Sequence, residues 1–220
     1  EVEGTNHSIS CHLLAESQQG MQRDYDYSVA RDPNDLESVE KIAKQAVYRT
    51  LRRDNPRRVK TCQVPILFDA TVASSLFGSF ISAISGSSQY KKSSFLLDTL
   101  GKTIFPDFVH IYERPHLPKG LGSAPFDADG IKTIDRDLIV DGILQSYLLS
   151  AYSARKLGMS PTGHGGGVHN LFVNPGNLDQ SALLKQLGTG LWVTELMGQG
   201  INLVTGDYSR GASGFWVQDG

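Results

Sequence analysis

Near the beginning of the chain, one kind of residue alternates with another at every second position. Two extended runs lie within residues 8–30 around the polar turn SQQG, and in MQRDYDYSV positions such as Met21 and Tyr25 alternate with polar ones such as Asp24 and Asp26. This period is typical of a β-strand with two different faces. We therefore predict a hairpin with one polar face.

Three segments carry the 3.6-residue spacing of an amphipathic helix. The first is capped by Asp32-Pro33-Asn34, runs from Leu36 to Leu51 and ends before Pro56. The second is ATVASSLFGSFISAISG, which follows the buried strand CQVPILFD and stops at Gly86. The third is LDQSALLKQLG.

The rest of the chain alternates short extended runs with turn residues. FVHIYER predicts a strand, a turn at Asp141-Gly142 leads into the strand ILQSYLL, and SARKLGM predicts a short helix. The segment LWVTELMGQGINLVTGDYSRGASGFWV is typical of an antiparallel meander punctuated by glycine. The order of elements favours an α+β fold, with antiparallel or mixed, barrel-like sheets and packed helices, over a βαβ series.

Composition narrows the functional classes. The 220 residues are 40% hydrophobic and 20% charged, enough for one domain or one domain with a small appendage. The net charge of −2 is spread over interleaved acids and bases, so direct nucleic-acid binding is not expected. Cys11 and Cys62 lack metal-ligand or redox spacing, which favours a reducing compartment.

Export and membrane signals are missing from this sequence, and we expect a cytoplasmic protein. No apolar run approaches about 18 residues, and no charged region precedes an apolar one. The chain starts at EVEG without Met, and Asp219-Gly220 resembles the turn of a hairpin whose return strand is missing. These ends indicate a fragment of a longer protein.

The stretch TGHGGGVHN places His164 and His169 on either side of three glycines. An oxyanion loop of the HGGG type also needs a GxSxG elbow, which the sequence lacks. Zinc would favour two histidines on one helical face, and a P-loop would need a following Lys-Ser/Thr. A flexible loop with hydrogen-bonding histidines is therefore favoured over a metal site, and close approach to a phosphate or peptide backbone stays open.

Longer strings carry a family resemblance. DRDLIVDGILQSYLLSAYSARKLGMSPTGHGGGVHN, then VNPG, then TELMGQGINLVTGDYSRGASGFWVQDG resemble the TldD/PmbA family, and within it the PmbA/TldE branch. The match covers nearly the whole chain and implies that residues 1–220 are the C-terminal domain of such a subunit, without its N-terminal domain and last strands. It also implies a bacterial cytosolic zinc-dependent peptidase assembly that processes microcin precursors and degrades an antitoxin, formerly called modulator of DNA gyrase.

The resemblance bears on zinc. In the TldD branch a helix carries HExxxH, with a cysteine near the C-terminus completing the site. That helix corresponds to ATVASSLFGSFISAISG, where Phe77, Gly78 and Ser82 replace the first His, the Glu and the second His. None of these can coordinate zinc well or activate water. The resemblance thus implies a non-catalytic chain without a metal ligand, whose zinc is held by a TldD-type partner in a heterodimer.

The remaining functional predictions concern peptide binding. Strands 190–197 and 201–206 are the predicted platform for adding an unfolded peptide as a strand, and a homodimer is possible when the chain is alone. Two alternatives remain open: an independent metalloprotease that uses both loop histidines and an outside ligand, and a non-proteolytic regulator of DNA gyrase. The residues predicted to bind peptide or line a cavity are His164, Gly165, Gly166, Gly167, His169, Gly198, Gly200 and Asn202.

Overall fold

A computed structural model describes residues 3–18 and 20–220 and divides them into two compact units. Unit 1 contains the residues up to Thr61 together with Leu117–Leu121, and unit 2 contains Cys62–His116 and Gly122–Gly220. The sequence predicts one domain, or one domain with a small appendage, over residues 1–220. The physical reason for two units is that the first hairpin and the first helix pack on each other and form their own small core around Ile42 and Ala46.

Unit 1 confirms the predicted hairpin and corrects the predicted helix start. Strands β1 (His7–Ser17) and β2 (Gly20–Ala30) pair antiparallel in one continuous register. The helix α1 spans Val39–Leu51 and is capped by Ser38, whose hydroxyl accepts from Lys41 N. Asp32 caps only a short 3-10 turn, because the backbone at the end of that turn is extended.

The predicted polar face of the hairpin exists, and it faces α1. Asp24 accepts a hydrogen bond from Arg53 at 3.1 Å and Asp26 accepts one from Arg49 at 3.3 Å. All four side chains are at most 20% exposed. The aromatic residues of β2 therefore lie on the outer face of this unit, where Tyr25 is about half exposed.

Unit 2 holds two larger sheets and most of the helices. The four-stranded sheet is antiparallel in the order β6-β5-β4-β7, and the three-stranded sheet is mixed in the order β11-β8-β3, with β3 parallel to β8. A third, two-stranded sheet joins β9 and β10. The strands are β3 (Ile66–Phe68), β4 (Ile111–Glu113), β5 (Arg136–Val140), β6 (Ile143–Leu144), β7 (Leu171–Val173), β8 (Gly190–Met197), β9 (Ile201–Asn202), β10 (Asp207–Tyr208) and β11 (Gly211–Val217).

The helices of unit 2 pack on these sheets, which confirms the α+β class with antiparallel and mixed sheets. Each sheet has a linear strand order. The core gathers apolar residues of the second helix, including Phe80 and Ile84, against Ile111 and Leu138 of the four-stranded sheet. The helices are α2 (Ala70–Ala83), α3 (Gly86–Tyr90), α4 (Ala151–Leu157) and α5 (Gln180–Leu187).

The predicted turn at Asp141-Gly142 is confirmed. It joins β5 to β6 with φ of 50° at Asp141 and 75° at Gly142, both in the left-handed region. A Cβ at Gly142 would also lie 2.1 Å from Phe105 O. Both the positive φ and this short contact therefore require glycine at the position. The predicted strand ILQSYLL is shorter than expected, because only its first two residues join the ladder.

Candidate functional site

The loop TGHGGGVHN lies against the end of β4 in unit 2, and its centre is a buried glutamate. Glu113 is 1% exposed, and its Oε1 accepts from His164 Nε2 at 2.7 Å. Its Oε2 accepts from the backbone N–H of His169 at 3.1 Å. One carboxyl group therefore holds both ends of the glycine run.

The two imidazoles are fixed by further hydrogen bonds. His164 Nδ1 lies 2.8 Å from Thr162 Oγ1, and His169 Nε2 donates to Gly163 O at 3.1 Å. Thr162 Oγ1 in turn accepts from Leu149 N at 2.6 Å. The prediction that the histidines form hydrogen bonds is confirmed. Both imidazoles are buried within the protein. All of their hydrogen-bond partners come from neighbouring segments of unit 2.

One more carboxylate bonds the middle of the loop, and another lies beside it. Asp127 Oδ2 accepts from Gly165 N at 2.7 Å, and Asp129 Oδ2 accepts from Ala151 N at 2.8 Å, at the start of α4. A Cβ at Gly165 would lie 2.6 Å from Asp129 Oδ2. Close approach to these carboxylates explains the first glycine of the run.

The next two glycines are required by their backbone. Gly166 has a φ of 111° and Gly167 a φ of 126°, which other residues rarely adopt. A Cβ on Gly166 would touch only Ala128 Cβ at 3.5 Å, so space is not the constraint there. The sequence predicts that these glycines let another backbone approach closely, and within this chain the close contacts at Gly165 are with two carboxylate side chains.

Sequence reasoning missed the carboxylates of this site, although one signal was present. In FVHIYER, Glu113 has the same parity as Ile111, which is fully buried, so the alternation places the glutamate on the inner face of β4. A carboxyl group on an inner face needs hydrogen-bonding partners. The loop histidines supply them.

This arrangement does not fit zinc. Both ring nitrogens of His164 are occupied by protein atoms, and a metal ligand would have to give up one of these buried bonds. Across residues 3–18 and 20–220, no group of three or more His, Cys, Asp or Glu side chains is placed to hold a metal ion. The network can instead fix the loop rigidly.

The three positions predicted to replace the zinc motif lie on α2. Phe77 packs against the hydrophobic core, whereas Gly78 and Ser82 are exposed. Ser82 Oγ donates to Gly78 O at 2.9 Å, so its hydroxyl is turned back onto the helix. The donor set of this helix therefore does not fit zinc either.

The predicted residues near the end of the chain lie on a separate segment. Gly198 has a φ of 79°, and a Cβ at Gly200 would lie 1.9 Å from Ser209 O. Asn202 pairs with Asp207 between β9 and β10 and accepts from Val204 N with its side chain. Asn202 therefore lies in the hairpin that follows β8, and Gly198 and Gly200 lie in the segment that joins β8 to it.

Part of the predicted strand platform is already paired on both sides within a sheet. β8 is the central strand of its sheet, paired with β11 along its length and with β3 at Leu191, Trp192 and Val193. Its backbone at those three residues is therefore not available to a peptide.

Among the described residues, every helix is too short or too polar to span a bilayer.

Two protein-family models match the chain. The model for the PmbA/TldA metallopeptidase central domain matches residues 1–54, and the model for the PmbA/TldA metallopeptidase C-terminal domain matches residues 61–220. The gap between the two matches falls beside Thr61, where the structure divides unit 1 from unit 2.

Curated relatives match nearly the whole chain. Metalloprotease PmbA of Escherichia coli O157:H7 is 51% identical over 216 residues, which are 98% of this chain and 48% of the relative. A PmbA homolog of Haemophilus influenzae (Rd) is 48% identical over 219 residues, with the same two shares. The chain thus spans about half the length of these relatives.

Solved structures show the same fold. A Bacteroides thetaiotaomicron protein described as a modulator of DNA gyrase superposes with a TM-score of 0.91 at 30% identity, over 97% of this chain and 48% of the other. A Thermotoga maritima protein with the same description gives 0.87 at 31%, over 96% and 50%. TldE from Thermococcus kodakarensis gives 0.80 at 22%, over 97% and 51%, and supports the fold alone.

Proposed function

Because the chain belongs to the PmbA/TldD metallopeptidase family, we propose that it is part of a cytoplasmic PmbA/TldE-type subunit that carries no zinc itself. In this proposal a TldD-type partner holds the metal, and the pair degrades or processes unfolded peptides such as an antitoxin or a microcin precursor. The proposal is supported by α2, because the resemblance assigns Phe77, Gly78 and Ser82 to the positions of the family's zinc motif and none of these side chains is a good zinc ligand.

Such a subunit contributes to proteolysis by positioning. A zinc-bound water attacks a peptide only when the scissile carbonyl is held near it, and fixing an extended chain lowers the entropic part of the barrier. The network around Glu113 suits this role because its buried hydrogen bonds hold the glycine loop in one conformation. A rigid surface orders a flexible substrate at a lower cost than a mobile one.

The alternative of an independent metalloprotease requires both loop histidines to bind zinc. Their ring centroids are 6.1 Å apart, but His164 already uses both ring nitrogens, and Glu113 would lose one of its two partners if the ring turned away. Zinc binding there would therefore break a buried pair. This makes the zinc-free reading the stronger one.

The test is a peptidase assay on each purified subunit and on their mixture. We expect cleavage of an unstructured peptide by the TldD-type subunit to increase on adding the intact subunit that contains this chain, and we expect none from the latter alone. Zinc content is measured on the same samples. Cleavage by the isolated subunit, with stoichiometric zinc, would establish the independent metalloprotease instead. Binding to gyrase without any effect on peptide cleavage would favour the regulator.

A further inference from the structure

An apolar cavity of about 220 Å³ opens in unit 2 beside α2. It is separate from the glycine-histidine loop, and its lining contains no charged side chain. Its walls come from α2, from the segment 95–105 and from the hairpin of β9 and β10. The main apolar contributors are Leu76, Phe80, Phe95, Ile104, Phe105 and Leu203.

The walls of this cavity are fixed by contacts that do not depend on a ligand. Phe95 N donates to Leu203 O at 2.7 Å, which ties the hairpin to the opposite wall. Gly206 has a φ of 81°, and a Cβ there would approach the Phe95 ring to 3.1 Å. Phe80 and Phe105 meet edge to face with their ring centroids 5.2 Å apart. The cavity is therefore preformed.

Its size and chemistry select one kind of occupant. Cavities of about 150 Å³ lined by apolar side chains bind a molecule the size of benzene, so about 220 Å³ accommodates one branched aliphatic or aromatic side chain. The volume is below the range of drug-sized ligand sites, about 300–1,000 Å³. A charged side chain would lose its hydration there without gaining a partner.

We propose that this cavity binds a single large apolar side chain, of the Leu or Phe class, from a peptide substrate. The inference rests on the proposed function for the statement that the side chain belongs to a substrate peptide. Its position supports that statement, because one wall is α2, the helix that the resemblance aligns with the zinc-binding helix of the family's catalytic branch. The cavity gives the subunit a preference among unfolded peptides without any catalytic group.

Methyl NMR on the intact subunit tests the cavity without the partner. The probes are N-acetyl-L-leucinamide and N-acetyl-L-phenylalaninamide, with N-acetyl-L-asparaginamide as the polar control of similar size to the leucine compound. We expect saturable shifts of the Ile104 and Ile201 methyl signals with the two apolar probes only. The methyl signals of Ile42, which lies in unit 1, report any nonspecific effect.

Two substitutions and one control make the test specific. Ser79 lines the cavity, so Ser79→Leu fills it and should weaken the affinity for N-acetyl-L-leucinamide at least tenfold. Ser74→Leu is the matched control, because Ser74 is exposed on the same helix and does not line the cavity. Leu76→Ala enlarges the cavity and should improve binding of N-acetyl-L-tryptophanamide relative to the leucine probe.

The result has clear contrary outcomes. An absence of saturable shifts, or equal binding by the Ser79→Leu and Ser74→Leu variants, overturns the inference. So do contacts from the Ile104 and Ile201 methyl groups, in the absence of probe, to a segment of the intact subunit that lies outside residues 1–220, because the cavity is then filled internally. Probe binding without any stimulation of the partner would refute the proposed function alone. Stimulation without probe binding would refute only the cavity.

Discussion

Replacing Glu113 with leucine is the most direct test of the buried network. The two side chains are of similar size, so the change removes two acceptor oxygens without opening a large cavity. The His164 Nε2–H and the His169 backbone N–H then lose their partners in a region that excludes water. Each orphaned donor costs about 1–3 kcal/mol, so the free energy of unfolding should fall by about 2–6 kcal/mol.

A second substitution distinguishes the cost of unpaired hydrogen-bond donors from the cost of altered packing. In the Glu113→Leu/His164→Leu variant the imidazole donor is gone, and Thr162 Oγ1 keeps backbone carbonyl partners at 3.3 Å. Only the His169 N–H remains unpaired, so we expect this double variant to be more stable than Glu113→Leu alone. Asp135→Asn is the control for removing a carboxylate of unit 2, because Asp135 is 62% exposed beside Arg114 and should change stability by less than about 1 kcal/mol.

Urea unfolding followed by tryptophan fluorescence measures these changes. The chain has two tryptophans, Trp192 and Trp216, and both lie in unit 2, so the signal reports the unit that contains the network. A loss below about 1 kcal/mol for Glu113→Leu would mean that water or a neighbouring group satisfies both donors. A double variant as unstable as the single one would show that packing, and not hydrogen bonding, is the main contribution.

Three further changes test other contacts of the chain. Gly165→Ala places a methyl group against Asp129 and should lower the urea-unfolding free energy by about 1–3 kcal/mol, whereas a neutral result would show that the carboxylate moves freely. Gly142→Ala should cost at least as much, measured in the same way, because it adds a left-handed φ to a clash with a carbonyl. Lys119→Ala should raise the pKa of Asp32 from about 2 toward 3.8 in a carbon-13 NMR titration, because the Lys119 ammonium group donates to that carboxylate. The depressed pKa means that this contact stabilises unit 1 fully above pH 3.8 and is lost as the pH falls through about 2; an unchanged titration in the variant would show that Lys119 is not the cause.

Local chemistry was readable from the sequence where neighbouring residues decide the structure. The β1–β2 hairpin follows from alternation, and the Asp141-Gly142 turn follows from the residues that tolerate positive φ. The start of α1 was harder to predict, because Asp32 and Ser38 are both good caps and the extended backbone at Leu36 separates the 3-10 turn from the helix.

The candidate site could be predicted only in part from the sequence, because the residues that bind its histidines are distant in sequence. His164 and His169 are conspicuous beside three glycines, but Glu113 precedes them by 51 and 56 positions. Only the folded sheet brings β4 under the loop. The same holds for the polar face of β2, whose burial depends on Arg49 and Arg53 from α1.

A gain-of-function test can show whether α2 is able to bind zinc when the ligands are installed. A regular α-helix advances by about 100° per residue, so side chains five positions apart point about 140° away from each other. Phe77 and Ser82 have this spacing, and Phe77 packs into the core while Ser82 is exposed. Histidines at the two positions would not converge on one ion unless the helix were distorted.

Installing the motif should therefore fail to create a metal site. We expect the triple variant Phe77→His, Gly78→Glu, Ser82→His to bind less than stoichiometric zinc after dialysis, measured by elemental analysis, and to show no peptidase activity. Gly78→Glu with Ser82→His is the control, because both positions are exposed and it leaves Phe77 in the core. If the triple variant folds and holds one zinc ion per chain, then α2 can adopt the ligating geometry. The zinc-free state proposed for the wild-type subunit would in that case depend on the identity of three side chains alone, and not on the path of the helix.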